Sequence, residues 1–151
     1  MISRYRRGLS LALSFFLYLN QMAKKPKRKT LVRKLDRIFS EYIRERDTDN
    51  RGYGKCCTSG KTIHKSKGHA GHFISRRFMC TRWDEENVHL QSAYDNTFLA
   101  GRQYEYALFL NEKYHADKAT ELLIKSRETC KFSTDELQEM IEHFKTLLKN
   151  L

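Results

Sequence analysis

The sequence is poor in residues that break, cross-link or stiffen a chain. Its 151 residues include one Pro, one Trp and four Cys. The scarcity of Pro excludes a collagen-like protein and a Pro-rich linker. Four cysteines are too few for a disulfide-stapled scaffold, and they are unevenly placed, at positions 56, 57, 80 and 130. We therefore interpret them as reduced thiols and expect a cytoplasmic protein.

Long apolar segments are also scarce, and the mean hydropathy of −0.71 argues against a polytopic membrane protein. One apolar run, from Leu9 to Leu19, follows three arginines in the manner of a signal peptide. A helix needs about 20 apolar residues to span a bilayer, and this run is shorter. No small-residue cleavage site follows it. We expect no membrane partner, and our hypothesis is that translation begins at Met22. Detection of a native peptide that contains residues 4–18 would contradict it.

Positive charge is what the sequence has in excess. Its 29 Lys and Arg exceed its 18 Asp and Glu, which gives a formal charge of +11 at pH 7. Twelve basic and five acidic residues lie within 22–55, whereas six basic and seven acidic residues lie within 116–151. This asymmetry predicts a nucleic-acid partner that the N-terminal half contacts. The candidate phosphate-binding residues there are Lys24, Lys25, Lys27, Arg28, Lys29, Arg33 and Arg37.

Apolar periodicity predicts a helix near the N-terminus and short strands after it. Hydrophobic residues recur at helical spacing from Leu31 to Ile43, which predicts an amphipathic helix over 31–46 with Thr30 as its N-cap. Short apolar segments separated by Gly and polar residues predict strands within 53–92, one of them over 71–74.

Helices are predicted again from Ala93 to the end of the chain. The tetrapeptide from Ser133 to Glu136 has the pattern of a capping box, in which Ser and Glu each satisfy a backbone donor at the helix start. The helix that follows carries a long apolar stripe. That stripe packs either inside the domain or, alternatively, against a second copy in a homodimer. Its members are Leu137, Met140, Ile141, Phe144, Leu147, Leu148 and Leu151.

Chemistry-bearing side chains concentrate between Cys56 and Asn96, where four of the six histidines lie. His72 is in a predicted strand, Asn87 opens a second predicted strand, and Asn96 is at the start of a predicted helix. Either asparagine alone has an ordinary explanation in turn or cap chemistry, so their joint order with His72 is the informative feature.

The order His, Asn, Asn on strand, strand and helix resembles the HNH (ββα-metal) endonucleases. More closely, the chain resembles the NinG (Rap) recombination proteins of lambda-type phages. The resemblance implies an α+β fold in a single domain over 30–151, after an N-terminal extension and basic arm over 1–29. A central ββα-metal unit over about 53–101 is then flanked by an N-terminal helix and a C-terminal helical layer. The segments that carry the resemblance are 31–36, 56–61, 71–77 and 81–89.

This resemblance implies a metal-dependent, structure-selective DNA endonuclease that acts on branched DNA or recombination intermediates in the bacterial cytoplasm. His72 would be the general base, Asn87 would orient its loop, and Asn96 would help to hold a divalent cation, Mg²⁺ or Mn²⁺. The second metal ligand would be His69, Asp84 or His89. The phosphate clamps would be Arg76, Arg77 and Arg82.

Relatives commonly hold a structural zinc in two Cys-x2-Cys knuckles, and this sequence departs from that pattern. Cys56 keeps a thiol at a matching position, whereas Ser59, Ser92 and Asp95 occupy the others. Because Ser does not normally ligate zinc, we expect no structural zinc, with packing and hydrogen bonds in its place. The loss motivates an alternative function, a catalytically decayed DNA-binding accessory protein of recombination. A weaker alternative is RNA binding through aromatic residues interleaved with bases, namely Tyr53, Phe73, Phe78 and Trp83.

Overall fold

Five α-helices, a short 3-10 helix (Lys65–Lys67) and two small antiparallel sheets make up the fold, which a computed structural model describes for residues 26–151. The fold class is α+β, as the sequence predicts. None of the helices in this range is long and apolar enough to cross a membrane. The run from Leu9 to Leu19, Met22, Lys24 and Lys25 lie outside the described residues. The elements in chain order are α1 (Arg28–Arg46), β1 (Tyr53–Lys55), β2 (Thr62–His64), β3 (Gly68–His72), β4 (Val88–Ser92), α2 (Ala93–Phe98), α3 (Gln103–Lys113), α4 (Lys118–Ser126) and α5 (Thr134–Lys149).

Helix α1 begins three residues before the predicted position. Lys27 is extended and caps the helix without a side-chain hydrogen bond. The prediction of Thr30 as the N-cap is wrong, because its backbone N–H already donates to the Lys27 carbonyl at 2.8 Å, inside the first turn. Arg28 and Lys29 therefore belong to the helix, so the cations of the N-terminal half continue onto a rigid element.

The larger core cluster forms where α5 packs on α1. Leu35 and Ile43 of α1 and Leu137 of α5 are fully buried, and the rings of Phe39 and Phe144 meet edge to face with centroids 4.9 Å apart. Each such side chain contributes roughly 1.5–3 kcal/mol when buried. The apolar stripe of the last helix is thus covered within the chain, although its last member, Leu151, remains 67% exposed.

The capping box predicted at the start of α5 is confirmed. The Ser133 hydroxyl accepts from the Glu136 backbone N–H at 3.1 Å, and the Glu136 carboxylate accepts from the Ser133 backbone N–H at 2.7 Å. Both orphan donors of the first turn are satisfied, so the helix begins where the sequence predicts.

Strands β3 and β4 pair antiparallel, with Gly68 opposite Ser92 and His72 opposite Val88. Helix α2 follows β4 directly, which completes the predicted strand–strand–helix order. The strand predicted over 71–74 instead ends at His72, because the backbone N–H groups of the next two residues donate to Asn87 and start a loop.

Not all four cysteines are free thiols, contrary to the interpretation from the sequence. Cys80 and Cys130 form a disulfide across 50 residues of sequence, whereas Cys56 and Cys57 are free and buried. The fold brings the turn after β3 against the segment before α5, with the two Cα atoms 5.1 Å apart. No local pattern reveals such a long-range approach, so the expectation of four reduced thiols is wrong for this pair.

Candidate functional site

Two adjoining surface pockets share Ala70, His72, Arg76 and Asn96, and together we term them the His72 cleft. Elements α1, β3 and α2 and the loop after β3 all contribute to its walls. Four of the residues predicted as functional, namely His69, His72, Arg76 and Asn96, therefore meet at one place. The remaining lining residues are Asp36, Phe39, Ser40, Arg44, His69, Phe73, Ser75, Ala100, Gly101 and Gln103.

His72 is the half-buried histidine at the end of β3. Its Nε2 donates to the backbone carbonyl of Arg82 at 3.0 Å. A carbonyl can only accept, so in the neutral ring the proton is on Nε2 and the lone pair is on Nδ1. Burial lowers the pKa of His72 below its usual value, although the Arg82 carbonyl opposes this shift. The ring is therefore neutral and able to accept a proton at pH 7.

His69 and Asn96 form a second polar pair in the same cleft. The Asn96 amide nitrogen lies 3.0 Å from His69 Nδ1, which joins α2 to β3 at the surface. Rotation of the Asn96 amide exchanges its oxygen and nitrogen, so that the oxygen can face the same side as the imidazole. The pair thus places an imidazole and an amide side by side, both of which are metal ligands in proteins.

Asn87 is completely buried and closes the loop between β3 and β4. Its Oδ1 accepts from the Ile74 backbone N–H at 2.7 Å. Its Nδ2 donates to the carbonyls of Ile74 at 3.0 Å and Thr81 at 2.8 Å. These bonds fix both ends of the loop that carries Arg82, and the Arg82 carbonyl in turn holds His72. Asn87 is therefore placed to position His72 indirectly.

Arg82, a predicted phosphate clamp, has hydrogen-bond partners within the chain. Its guanidinium makes two hydrogen bonds to the Asp36 carboxylate, at 2.9 and 2.7 Å, and a third to the Arg76 carbonyl at 2.7 Å. Trp83 Nε1 donates to the same carboxylate at 2.9 Å. The forked geometry that suits a phosphate is thus matched to Asp36, and Arg82 ties α1 to the loop that orients His72.

The structure does not bring Asp84 or His89 to the His72 cleft, so neither completes a metal site there. Asp84 accepts from the Lys125 ammonium at 2.6 Å and from the Glu86 backbone N–H at 2.9 Å. His89 is 1% exposed and packs edge to face on Phe109, with its Nε2 3.1 Å from the Tyr114 hydroxyl.

Burial, together with Lys113 and Arg46, lowers the pKa of His89 to about 3, although Asp47 opposes the shift. As the pH falls, His89 in the unfolded chain is protonated near its ordinary pKa of about 6.5, whereas His89 in the folded protein stays neutral until about pH 3. The folding stability that is present above about pH 6.5 is therefore lost progressively toward pH 3. Over this range the free energy of unfolding should fall by up to about 1.4 kcal/mol for each pH unit. His89→Phe should flatten the dependence of the unfolding free energy on pH between 7 and 4, measured by urea denaturation. A matched change at the exposed His143 should not, and parallel curves for wild type and His89→Phe would contradict the assignment.

The other predicted cations lie at the surface. Arg76 and Arg77 are exposed in the loop after β3, and Arg77 stacks on the Phe78 ring with 4.6 Å between the guanidinium carbon and the ring centroid. Arg33 and Arg37 are exposed on α1, the helix that also supplies Arg44 to the cleft. The N-terminal cations within the described range, which are also exposed, are Lys27, Arg28 and Lys29.

A sequence profile described as "Bacteriophage Lambda NinG protein" matches residues 18–151, which include every described residue. The chain belongs to the NinG family. It is therefore a recombination-related phage protein. No curated protein and no solved structure matches the chain.

The zinc-knuckle positions of this NinG-family chain hold a hydrogen-bonded cluster. The Cys56 thiol donates to Asp95 Oδ2 at 3.2 Å and accepts from the Ser92 backbone N–H at 3.2 Å. The Thr58 hydroxyl also donates to Asp95 Oδ2, at 3.0 Å, and the Ser92 hydroxyl accepts from the Asp95 backbone N–H at 3.0 Å. One thiol, one carboxylate and serines do not supply the four good ligands of a structural zinc, so the residues do not fit that metal.

Sequence reasoning missed several cleft residues of this NinG-family chain, namely Asp36, Ser40, Arg44 and Gln103. Asp36 and Arg44 are both on α1. Their eight-residue spacing puts them on similar sides of a helix, but the partner of that side depends on tertiary packing. The sequence does contain one indication of this site, an acidic residue at position 36 on an otherwise basic face of the helix.

Proposed function

We propose that the protein is a metal-dependent endonuclease that cuts DNA during phage recombination in the bacterial cytoplasm. One observation carries the proposal: a neutral, anchored histidine shares a surface cleft with a His–Asn pair and with an exposed arginine. Hydrolysis of a phosphodiester needs a base, a divalent cation and a cationic contact to phosphate, and the cleft offers a residue for each.

His72 serves as the general base. Its Nε2 proton is engaged by the Arg82 carbonyl, so Nδ1 is the nitrogen that accepts a proton from the attacking water. The lowered pKa keeps that lone pair available at neutral pH. A positioned base of this kind contributes typically 10²–10⁴-fold to the rate.

His69 and Asn96 would hold the divalent cation. Both are neutral ligands, and Mg²⁺ prefers carboxylates and water, whereas Mn²⁺ and later transition metals accept imidazole more readily. The donor set thus favours Mn²⁺ over Mg²⁺. When bound, such a cation neutralises charge on the phosphate and stabilises the leaving oxygen.

The exposed arginines of α1 provide the long-range attraction to DNA. Replacing Arg33 and Arg37 with Ala should weaken duplex binding at every sequence and reduce the slope of log K against log salt by about 0.9 for each lost phosphate contact. The matched control removes two exposed cations from the α4–α5 linker, Arg127 and Lys131. Fluorescence anisotropy at several salt concentrations measures the slopes. A larger effect from the linker variant would show that the C-terminal region, rather than α1, makes the main phosphate contacts.

The decisive experiment is a cleavage assay on linear and branched DNA with Mn²⁺, with Mg²⁺ and with a chelator. We expect cleavage with Mn²⁺ at lower metal concentrations than with Mg²⁺, and none with the chelator. Asn96→Ala should raise the Mn²⁺ concentration for half-maximal rate, and excess Mn²⁺ should restore much of the rate. Absence of cleavage under all these conditions would reject the proposal.

One observation favours the second candidate, a DNA-binding accessory protein without nuclease activity. Asp36, the carboxylate that lines the cleft, is fully engaged by Arg82 and Trp83. A cleft without an available carboxylate binds divalent cations weakly. Salt-dependent binding of branched DNA with no cleavage at any Mn²⁺ concentration would support this second function.

A further inference from the structure

Outside the His72 cleft, three metal-ligating side chains converge at the junction between two distant segments. Cys80 lies in the turn between β3 and β4, and Glu128 and Cys130 lie in the α4–α5 linker. Within residues 26–151, their ligand atoms form the group of His, Cys, Asp or Glu atoms that lie within 4.8 Å of one another. The Cys80 sulfur is also 3.3 Å from the Glu128 carbonyl oxygen.

We propose that Cys80, Cys130 and Glu128 bind a thiophilic divalent cation such as Zn²⁺ when their disulfide is reduced. A cytosolic dithiol reductant would supply two electrons and two protons, so that the S–S bond becomes two S–H groups and the reductant becomes a disulfide. The cation then displaces both thiol protons and binds two thiolates and one carboxylate. Water can complete a tetrahedral shell, as it does in zinc sites with three protein ligands.

The fold keeps the two segments together without the S–S bond. Lys125 of α4 pairs with Asp84 at 2.6 Å. Lys118 at the start of α4 pairs with Glu86 at 2.9 Å. Trp83 packs edge to face on Phe132, with the ring centroids 5.7 Å apart. After reduction the two thiols therefore remain neighbours, which makes a chelating pair of them.

The ligand chemistry selects the class of metal. Two thiolates favour Zn²⁺, Cd²⁺ and other soft or borderline ions over Mg²⁺ and Ca²⁺. The single carboxylate, from the exposed Glu128, is compatible with Zn²⁺. A disulfide and a metal bridge would thus join the same two segments under oxidising and reducing conditions respectively.

This site is separate from the zinc-knuckle positions. Cys56 is buried and hydrogen-bonded to Asp95, whereas Cys80 and Cys130 are half-buried. The two sites share no residue, so single cysteine variants can tell them apart. The inference also does not depend on nuclease activity, since its readout is metal binding.

The test is a Cd²⁺ titration of the full chain, followed by ultraviolet charge-transfer absorption of Cd–thiolate bonds. Reduced protein, freed of reductant under anaerobic conditions, should bind one Cd²⁺ per chain, and air-oxidised protein should give no such band. Cys80→Ser and Cys130→Ser should lose the band, whereas Cys56→Ser should keep it. Zn²⁺ in excess should compete with Cd²⁺ for the site, and two protons should be released per ion below the thiol pKa.

Glu128→Gln keeps the test valid if a cysteine variant fails to fold, since Glu128 is exposed. It should weaken Cd²⁺ binding about tenfold or more, because loss of a residue that only hydrogen-bonds a metal ligand already lowers metal affinity by about that factor. Circular dichroism identifies variants that do not fold. The proposal is overturned if reduced wild type gives no thiolate band, if oxidised protein binds equally, or if folded Cys56→Ser rather than folded Cys80→Ser loses the site.

Discussion

His72→Ala should lower the rate of DNA cleavage by at least about 100-fold while DNA affinity stays within a few-fold. The variant loses the Nδ1 lone pair that, in the proposed mechanism, accepts a proton from water, but it loses no cation proposed to contact phosphate. Single-turnover cleavage with Mn²⁺ and anisotropy-based binding measure the two quantities separately. The wild-type rate should also rise with pH through the acidic range and level off by neutral pH, since burial lowers the pKa of His72.

Two matched histidine variants make this assignment specific. His143 is exposed on α5, away from the cleft, and its replacement by Ala should leave the rate unchanged. His69→Ala should slow cleavage but respond to added Mn²⁺, because His69 would hold the cation. Full activity of His72→Ala, or its rescue by Mn²⁺ alone, would show that His72 is not the base.

Asn87→Ala should destabilise the fold by roughly 3–5 kcal/mol, one of the largest effects available from a single side chain. The change leaves the Ile74 N–H, the Ile74 carbonyl and the Thr81 carbonyl without their side-chain partner at a fully buried position. The melting temperature should fall by roughly 10 °C or more. Thermal unfolding by circular dichroism measures the change.

Asn96→Ala is the control for Asn87→Ala, because Asn96 is half-buried and bonds to the exposed His69. Its stability should stay within about 1 kcal/mol of wild type. Asn87 would then have a structural role and Asn96 a metal-holding role, although both belong to the same His–Asn–Asn sequence pattern. Equal destabilisation by both changes would contradict that division.

The sequence predicts the elements best where local chemistry determines them. Apolar residues at helical spacing locate α1 and α5, and the reciprocal bonds of Ser133 and Glu136 determine where α5 begins. The order of β3, β4 and α2 also follows from short apolar segments around His72 and Asn87. In each case the decisive interactions join residues close in sequence.

The remaining features depend on contacts between distant residues. The Arg82 guanidinium pairs with Asp36, which lies 46 residues away in sequence, and the sequence alone does not reveal this pairing. His89 was one of three candidate metal ligands, yet its ring packs on Phe109 of α3 instead of lining the cleft. The Cys80–Cys130 bond joins residues that no periodicity relates. Side-chain chemistry limits such partners, but only the folded chain selects among them.

The packing of α1 against α5 has a consequence for synthesis on the ribosome. Helix α1 supplies Asp36, Ser40 and Arg44 to one wall of the cleft, and its apolar side is covered by α5, which is translated after every other described element. Until Leu137 to Phe144 have left the exit tunnel, a nascent chain exposes Leu35 and Phe39 and is a substrate for chaperones. Chains that are truncated before α5 should therefore aggregate and lack a formed His72 cleft, so the cleft is complete only after α5 has been synthesised.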